Sequence, residues 1–176
     1  MSVAPAIREH VRQRARFACE FCGVGETDTG GLLSVDHFRP KSKGGTDDPG
    51  NLVYCCVRCN QYKHDYWPTS PGEPMLWNPR EAELVHHFVE LETGHLYPRT
   101  AAGSFTLRRL RLNRPPLVAW RLRARQRAEE VRQLERNRDL IQLLSHVHQQ
   151  EAGLLQDQQR LLAEQEALLR LLLGEA

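Results

Sequence analysis

Two rhythms of apolar residues divide the chain. Before Pro115-Pro116 the apolar stretches are short and change period often. Ile7, His10, Val11 and Ala15 fall roughly on one face of a predicted helix over 4–17. Leu32-Leu33-Ser34-Val35 reads as a strand that ends at Asp36-His37, and Asn51 to Tyr54 reads as its return strand. Between them, Pro40, Gly44-Gly45, Pro49 and Gly50 demand turns. A helix is expected from Cys56 to about Tyr66. A proline-rich wrapping loop follows over 68–79, then a hairpin of 85–91 with 95–97 across Glu92-Thr93-Gly94, then a helix over 105–112. Mixed short elements of this kind predict an α+β unit.

After Pro116 the rhythm is uniform. Leu134, Ile141, His148, Leu155, Leu162 and Leu169 recur every seven residues, and so do Leu140, Val147, Leu154, Leu161 and Leu168. Two adjacent heptad columns predict a long helix with an apolar seam, in the manner of a coiled coil. The columns that would complete a regular seam are uneven: Leu144 and Leu172 are apolar, whereas Glu151, Gln158 and Gln165 are not. The seam therefore calls for a second copy of the chain, another protein, or a hairpin near Gly153, and the unbroken phase through Gly153 favours a homodimer. The expected divisions are 1–67, 68–115 as a wrapping extension, and 116–176 as the helical tail.

Charge adds one feature. The 176 residues carry a net charge of +2, but residues 99–138 hold twelve arginines against three glutamates. A block of this kind suggests a polyanion partner. It nominates Arg108, Arg109, Arg111, Arg114, Arg121, Arg123 and Arg125, with Arg127 beside them, as nucleic-acid contacts. No charged-then-apolar leader and no apolar run near 18 residues is seen, so a cytoplasmic protein without a membrane span is expected.

The five cysteines change the picture more. Cys19 and Cys22 form one C-x-x-C pair, Cys56 and Cys59 a second, with Cys55 left over. Adjacent Cys55 and Cys56 suit disulfides poorly, whereas two such pairs suit a tetrahedral structural Zn²⁺ in a small core. Between the pairs lie the residue types that phosphodiester hydrolysis needs. A neutral imidazole at His37 can take a proton from water. Asp36 and Asn60 offer hard oxygens suited to Mg²⁺ or Mn²⁺. His64, one helical turn beyond Asn60, is a possible third ligand. Lys63 is a candidate phosphate contact, and the Asn51 amide can hold the His37 loop in shape.

The string DHFRPKSKGGTDDPGNLVYCCVRCNQYK, preceded by CEFC, resembles the HNH endonuclease family, with His37, Asn51 and Asn60 as its three letters. The LWNPR and LRLNRP strings further resemble an extension in one bacterial HNH subgroup, so the resemblance spans roughly residues 8–123 and leaves the tail outside it. It implies a ββα-metal fold, a catalytic cation on Asp36 and Asn60, His37 as general base, Asn51 as a structural member of the catalytic set, and nucleic acid, most readily DNA, as substrate. Two other readings share the zinc and the polyanion: a non-catalytic zinc module that binds nucleic acid, and a nuclease subunit of a multi-protein, anti-phage type system. A binding module has no reason to keep Asp36, His37 and Asn60 together.

Overall fold

The computed structural model describes residues 3–173, with side chains to residue 170; the last three residues of the expected tail and the side chain of Leu172 lie outside that range. The chain forms two compact units, one ending at Ala124 and the other beginning at Arg125.

In the first unit the elements are α1 (Pro5–Arg14), α2 (Glu26–Thr29), β1 (Ser34–His37), β2 (Leu52–Cys55), α3 (Val57–Lys63), α4 (Leu84–His87), β3 (Phe88–Glu90), β4 (Leu96–Pro98) and α5 (Ala101–Arg109). α1 opens with Pro5 at its first turn, where a missing N–H costs nothing. It buries Val11 and ends where Arg16 and Phe17 adopt positive φ. β1 and β2 pair antiparallel, Ser34 with Cys55 through His37 with Leu52. β2 is buried throughout and supplies the core; β1 is half-buried and carries the polar residues. Strand β1 begins two residues later than its apolar pattern suggests, because Leu33 is anchored from outside the ladder: its N–H donates to the Tyr54 hydroxyl at 2.9 Å. The strand therefore includes Asp36 and His37.

One core runs through the unit, built on Val11, Phe21, Leu52, Val53, Tyr54, Leu76, Trp77, Leu110 and Leu112. Trp77 meets Phe21 and Phe88 edge-on, with its indole N–H on the Ala82 carbonyl. The predicted hairpin forms over a shorter span, β3 against β4, because Leu84–His87 is the helical turn α4 rather than strand, and residues 68–79 run without helix or strand. Arg12 grips Glu26 from α1, and Tyr54 donates to the same carboxylate at 2.5 Å. Together the guanidinium and the phenol hold the Glu26 carboxyl down to about 2.

Pro115 and Pro116 do not merely punctuate; they open the 59-residue helix α6 (Pro115–Leu173), about 88 Å long. Leu117 and Arg121, early in α6, are buried within the first unit. In the second unit α6 continues unbroken through Gly153, which rules out a hairpin there, and every residue from Arg125 to Arg170 is exposed.

Candidate active site

The four cysteines of the two knuckles converge. Cys19, Cys22, Cys56 and Cys59 are buried, and their sulfurs lie within 4.8 Å of one another. Cys22 and Cys56 are 3.8 Å apart, which matches the edge of a tetrahedron with Zn–S bonds of about 2.3 Å. Backbone geometry presents the sulfurs. Gly23 N donates to the Cys19 carbonyl with Gly23 at φ 81, and Cys56 caps α3 by accepting from Cys59 N at 3.4 Å. Hydrogen bonds from Cys19, Cys22 and Cys59 hold the Cys56 thiol below its ordinary range, and those with Cys19, Cys22 and Cys56 push Cys59 above its own. Cys55 lies outside the cluster; burial raises its thiol further from reactivity.

Arg114 faces this cluster, its Nη2 4.0 Å from both the Cys56 and Cys59 sulfurs. Burial works against its charge, but the nearby sulfurs, Cys59 first, more than compensate and leave its pKa raised. Four thiolates around a divalent ion carry net negative charge, and a fixed guanidinium offsets it.

A second, open site is built on strand β1 and on the same helix α3. A cleft of about 370 Å³ is lined by Asp36, His37, Pro40, Lys41, Asn60, Gln61, His64 and Asp65. β1 delivers Asp36 and His37, and α3 delivers Asn60. His37 Nε2 lies 2.7 Å from Asp47 Oδ1, and Lys41 Nζ lies 2.8 Å from Asp47 Oδ2. An ionised carboxylate only accepts, so Nε2 carries the proton and Nδ1 is left as the acceptor of the neutral ring. Asp47 is held below the usual carboxylate range, first by Lys41 and then by His37.

The loop between the strands is tied down by Asn51. Its Oδ1 accepts from Arg39 N at 2.8 Å, and its Nδ2 donates to the Arg39 and Thr46 carbonyls at 3.1 and 2.9 Å. Gly45 is obligatory here, since a Cβ would sit 1.8 Å from the Arg39 carbonyl oxygen.

Lys63 departs from its expected role as a phosphate contact. Its side chain is fully buried, with Nζ 2.8 Å from Asp36 Oδ2 and 2.7 Å from the His37 carbonyl. The Asp36 contact is an ion pair without the alignment of a hydrogen bond. The ammonium thus fixes one Asp36 oxygen and the strand end, and has no surface left for phosphate. His64 stands at the mouth of the cleft, 74% exposed, with its ring turned to the Asp65 carboxylate. Among the described residues the four cysteines are the one group of three or more His, Cys, Asp or Glu side chains close enough to share an ion, so His64 is not gathered with Asp36.

Several arginines nominated as nucleic-acid contacts also have internal partners. Arg121 is buried and donates to the Gly94 and Leu112 carbonyls. Arg109 stacks over Tyr66 and donates to the Lys63 carbonyl, and Arg114 faces the cysteines. All three are engaged within the fold, and Arg121 is too buried to reach a polyanion. Arg108, Arg111, Arg123 and Arg125 are exposed, Arg111 over the Tyr62 ring. Sequence reasoning passed over Asp47, Lys41 and the Arg114 contact. An acid ten residues after the histidine in a glycine-rich loop was the available signal for Asp47; Arg114 had none.

A comparison of the whole chain with curated proteins returns no match. No helix among the described residues is long and apolar enough to cross a membrane. The sequence model of the HNH endonuclease family matches residues 19–66. That segment contains both cysteine pairs and every residue lining the cleft, and by it the chain carries an HNH domain, with the nuclease or nucleic-acid-binding role such a domain implies.

Proposed function

We propose that the protein is a metal-dependent endonuclease that hydrolyses phosphodiester bonds, with DNA as its substrate. The observation that carries this reading is the His37 ring in the cleft beside Asp36 and Asn60, its Nε2 committed to Asp47 and its Nδ1 left basic. The donor set fits a catalytic Mg²⁺ or Mn²⁺: one carboxylate and one amide oxygen, few enough for the ion to keep most of its waters. Asp36 and Asn60 would hold that cation, with His64 as a further ligand if its ring leaves Asp65. When bound, it supplies positive charge to the phosphate and the departing oxygen.

The remaining work falls to the chain itself. His37 Nδ1 accepts the proton of the attacking water. Asp47 remains an anion and steadies the imidazolium that results, as a carboxylate does behind a catalytic histidine. Lys63 keeps Asp36 in one rotamer, so the cation site is shaped before the cation arrives. Asn51 keeps the loop that bears Asp47 against the strand that bears His37. Zn²⁺ on the four cysteines joins the N-terminal knuckle to α3 and has no part in the reaction. The exposed Arg108, Arg111, Arg123 and Arg125 supply sequence-independent attraction to phosphates.

The test is cleavage of supercoiled plasmid and of labelled RNA by the full chain with Mg²⁺ or Mn²⁺, beside His37→Ala. Metal-dependent nicking of plasmid that disappears in His37→Ala supports the reading. Equal cleavage by the two proteins refutes it, and binding without cleavage by either leaves a nucleic-acid-binding module.

A further inference from the structure

Between residues 140 and 169 helix α6 has four rows that matter to a partner. Leu140, Val147, Leu154, Leu161 and Leu168 form one seam row; Leu144, Glu151, Gln158 and Gln165 form the other. Beside the first runs a flanking row, Ile141, His148, Leu155, Leu162 and Leu169. Beside the second runs Leu143, Gln150, Asp157 and Glu164. The leucines, Ile141 and Val147 are between 42% and 65% exposed. An apolar strip of this length is a contact surface. Its own pattern specifies the occupant.

We infer that this segment pairs with a second copy of itself in antiparallel orientation, about a twofold axis near residue 156. In a parallel, in-register pair, Glu151 would face Glu151, Gln158 would face Gln158 and Gln165 would face Gln165, three wholly polar layers alternating with leucine layers, with a like-charge clash at the first. Reversing one helix removes this. Glu151 then lies opposite Leu161, Gln158 opposite Leu154, Gln165 opposite Val147 and Leu144 opposite Leu168, so every layer contains a large apolar side chain. The flanks agree. Parallel helices set each flanking row against the partner's other flank, which would place Leu155 and Leu162 beside Gln150, Asp157 and Glu164. Antiparallel helices set each flank against its own copy, so Leu155 meets Leu155, Ile141 meets Leu169 and His148 meets Leu162. The one like-charge approach, Asp157 to its copy, falls at the solvent edge, where Arg160 lies 3.5 Å from Asp157 in the same helix. The uneven seam is thus a signature of orientation, since reversal separates the two Glu151 carboxylates and leaves an apolar side chain to pack in every layer.

The test uses the full-length, zinc-loaded chain. Light scattering at micromolar concentration should give twice the mass of one chain, and Leu155→Glu with Leu162→Glu should halve it without changing zinc content. Leu144→Cys and Leu168→Cys are then oxidised separately and after co-expression. Antiparallel pairing yields a disulfide-linked dimer only from the co-expressed pair. Self-linked dimers from either variant alone would establish a parallel pair and overturn the orientation. A dimeric mass with no linkage would overturn the register. A monomeric parent would overturn self-association and leave the surface to a different protein.

Discussion

The four-cysteine cluster and the cleft share helix α3, which brings Cys56 and Cys59 to one and Asn60 to the other, yet they treat polar groups in opposite ways. The cluster is buried and its four ligands face one another, so nothing but an ion can complete it. The cleft is open, and its polar groups already have protein partners: Lys63 for Asp36, Asp47 for His37, Asp65 for His64. A closed site makes the metal part of the folding free energy. An open site whose charges are balanced from within lets the domain fold without any ion there, so the cation of the proposed reaction would bind after folding.

Removing one sulfur should have the largest effect of all. Cys56→Ala, or strong chelation of zinc, is expected to unfold the first unit, seen as loss of near-ultraviolet dichroism together with stoichiometric zinc; milder chelation that strips Mg²⁺ should leave the fold untouched. If Cys56→Ala folds with full zinc, the contrast between the two sites collapses.

His37→Ala should come next, reducing cleavage by about 10²–10⁴-fold while melting temperature and zinc content stay constant. Asp47→Asn keeps the size of the side chain but loses its charge, and cleavage should fall by about 10–100-fold. The pH dependence has a definite sign. Asp47 has a lowered pKa in the fold, so the stabilisation it gives is present above the ordinary aspartate value near 3.9 and is lost as pH falls through the folded value. The His37 loop of the parent should therefore loosen only in acid below that value, and Asp47→Asn should abolish this acid step. An unchanged step in the variant would assign it to another carboxylate, such as Glu26.

The smallest effect concerns the arginines. Replacing Arg108, Arg111 and Arg123 together should flatten the dependence of log binding constant on log salt by about 0.9 for each duplex phosphate lost. Arg121→Gln should instead lower stability and leave the salt slope alone, because its guanidinium is spent on the Gly94 and Leu112 carbonyls.

These distinctions show what was legible in the chain. The knuckles were, because a metal site is specified by spacing and residue type together. The paired strands were as well, apart from the offset of β1, where propensity placed the strand on Leu32 and Leu33 but the buried row of β2 paired with Ser34 to His37. The arginine block was misread in part because charge per segment says nothing about partners. Arg109 and Arg114 are taken up by Tyr66, Tyr62 and the sulfurs, and Arg121 by the Gly94 and Leu112 carbonyls. Lys63 was misread for a similar reason: its partners, Asp36 and the His37 carbonyl, lie 26 or more residues away, and only folding brings them to a lysine expected at the surface.

His64, which ends α3, has a backbone at φ 53 and ψ −145, a region that glycine enters freely and that other residues enter at a cost of about 1–3 kcal/mol. Folding alone would therefore prefer glycine at the mouth of the cleft. His64→Gly is expected to raise the melting temperature while weakening whatever the imidazole contributes there, and a lower melting temperature would show that the ring supports the fold instead. The helix terminus is thus a small trade of robustness for reach: the first unit is slightly less stable than it could be, and in return an imidazole stands at the edge of the cleft.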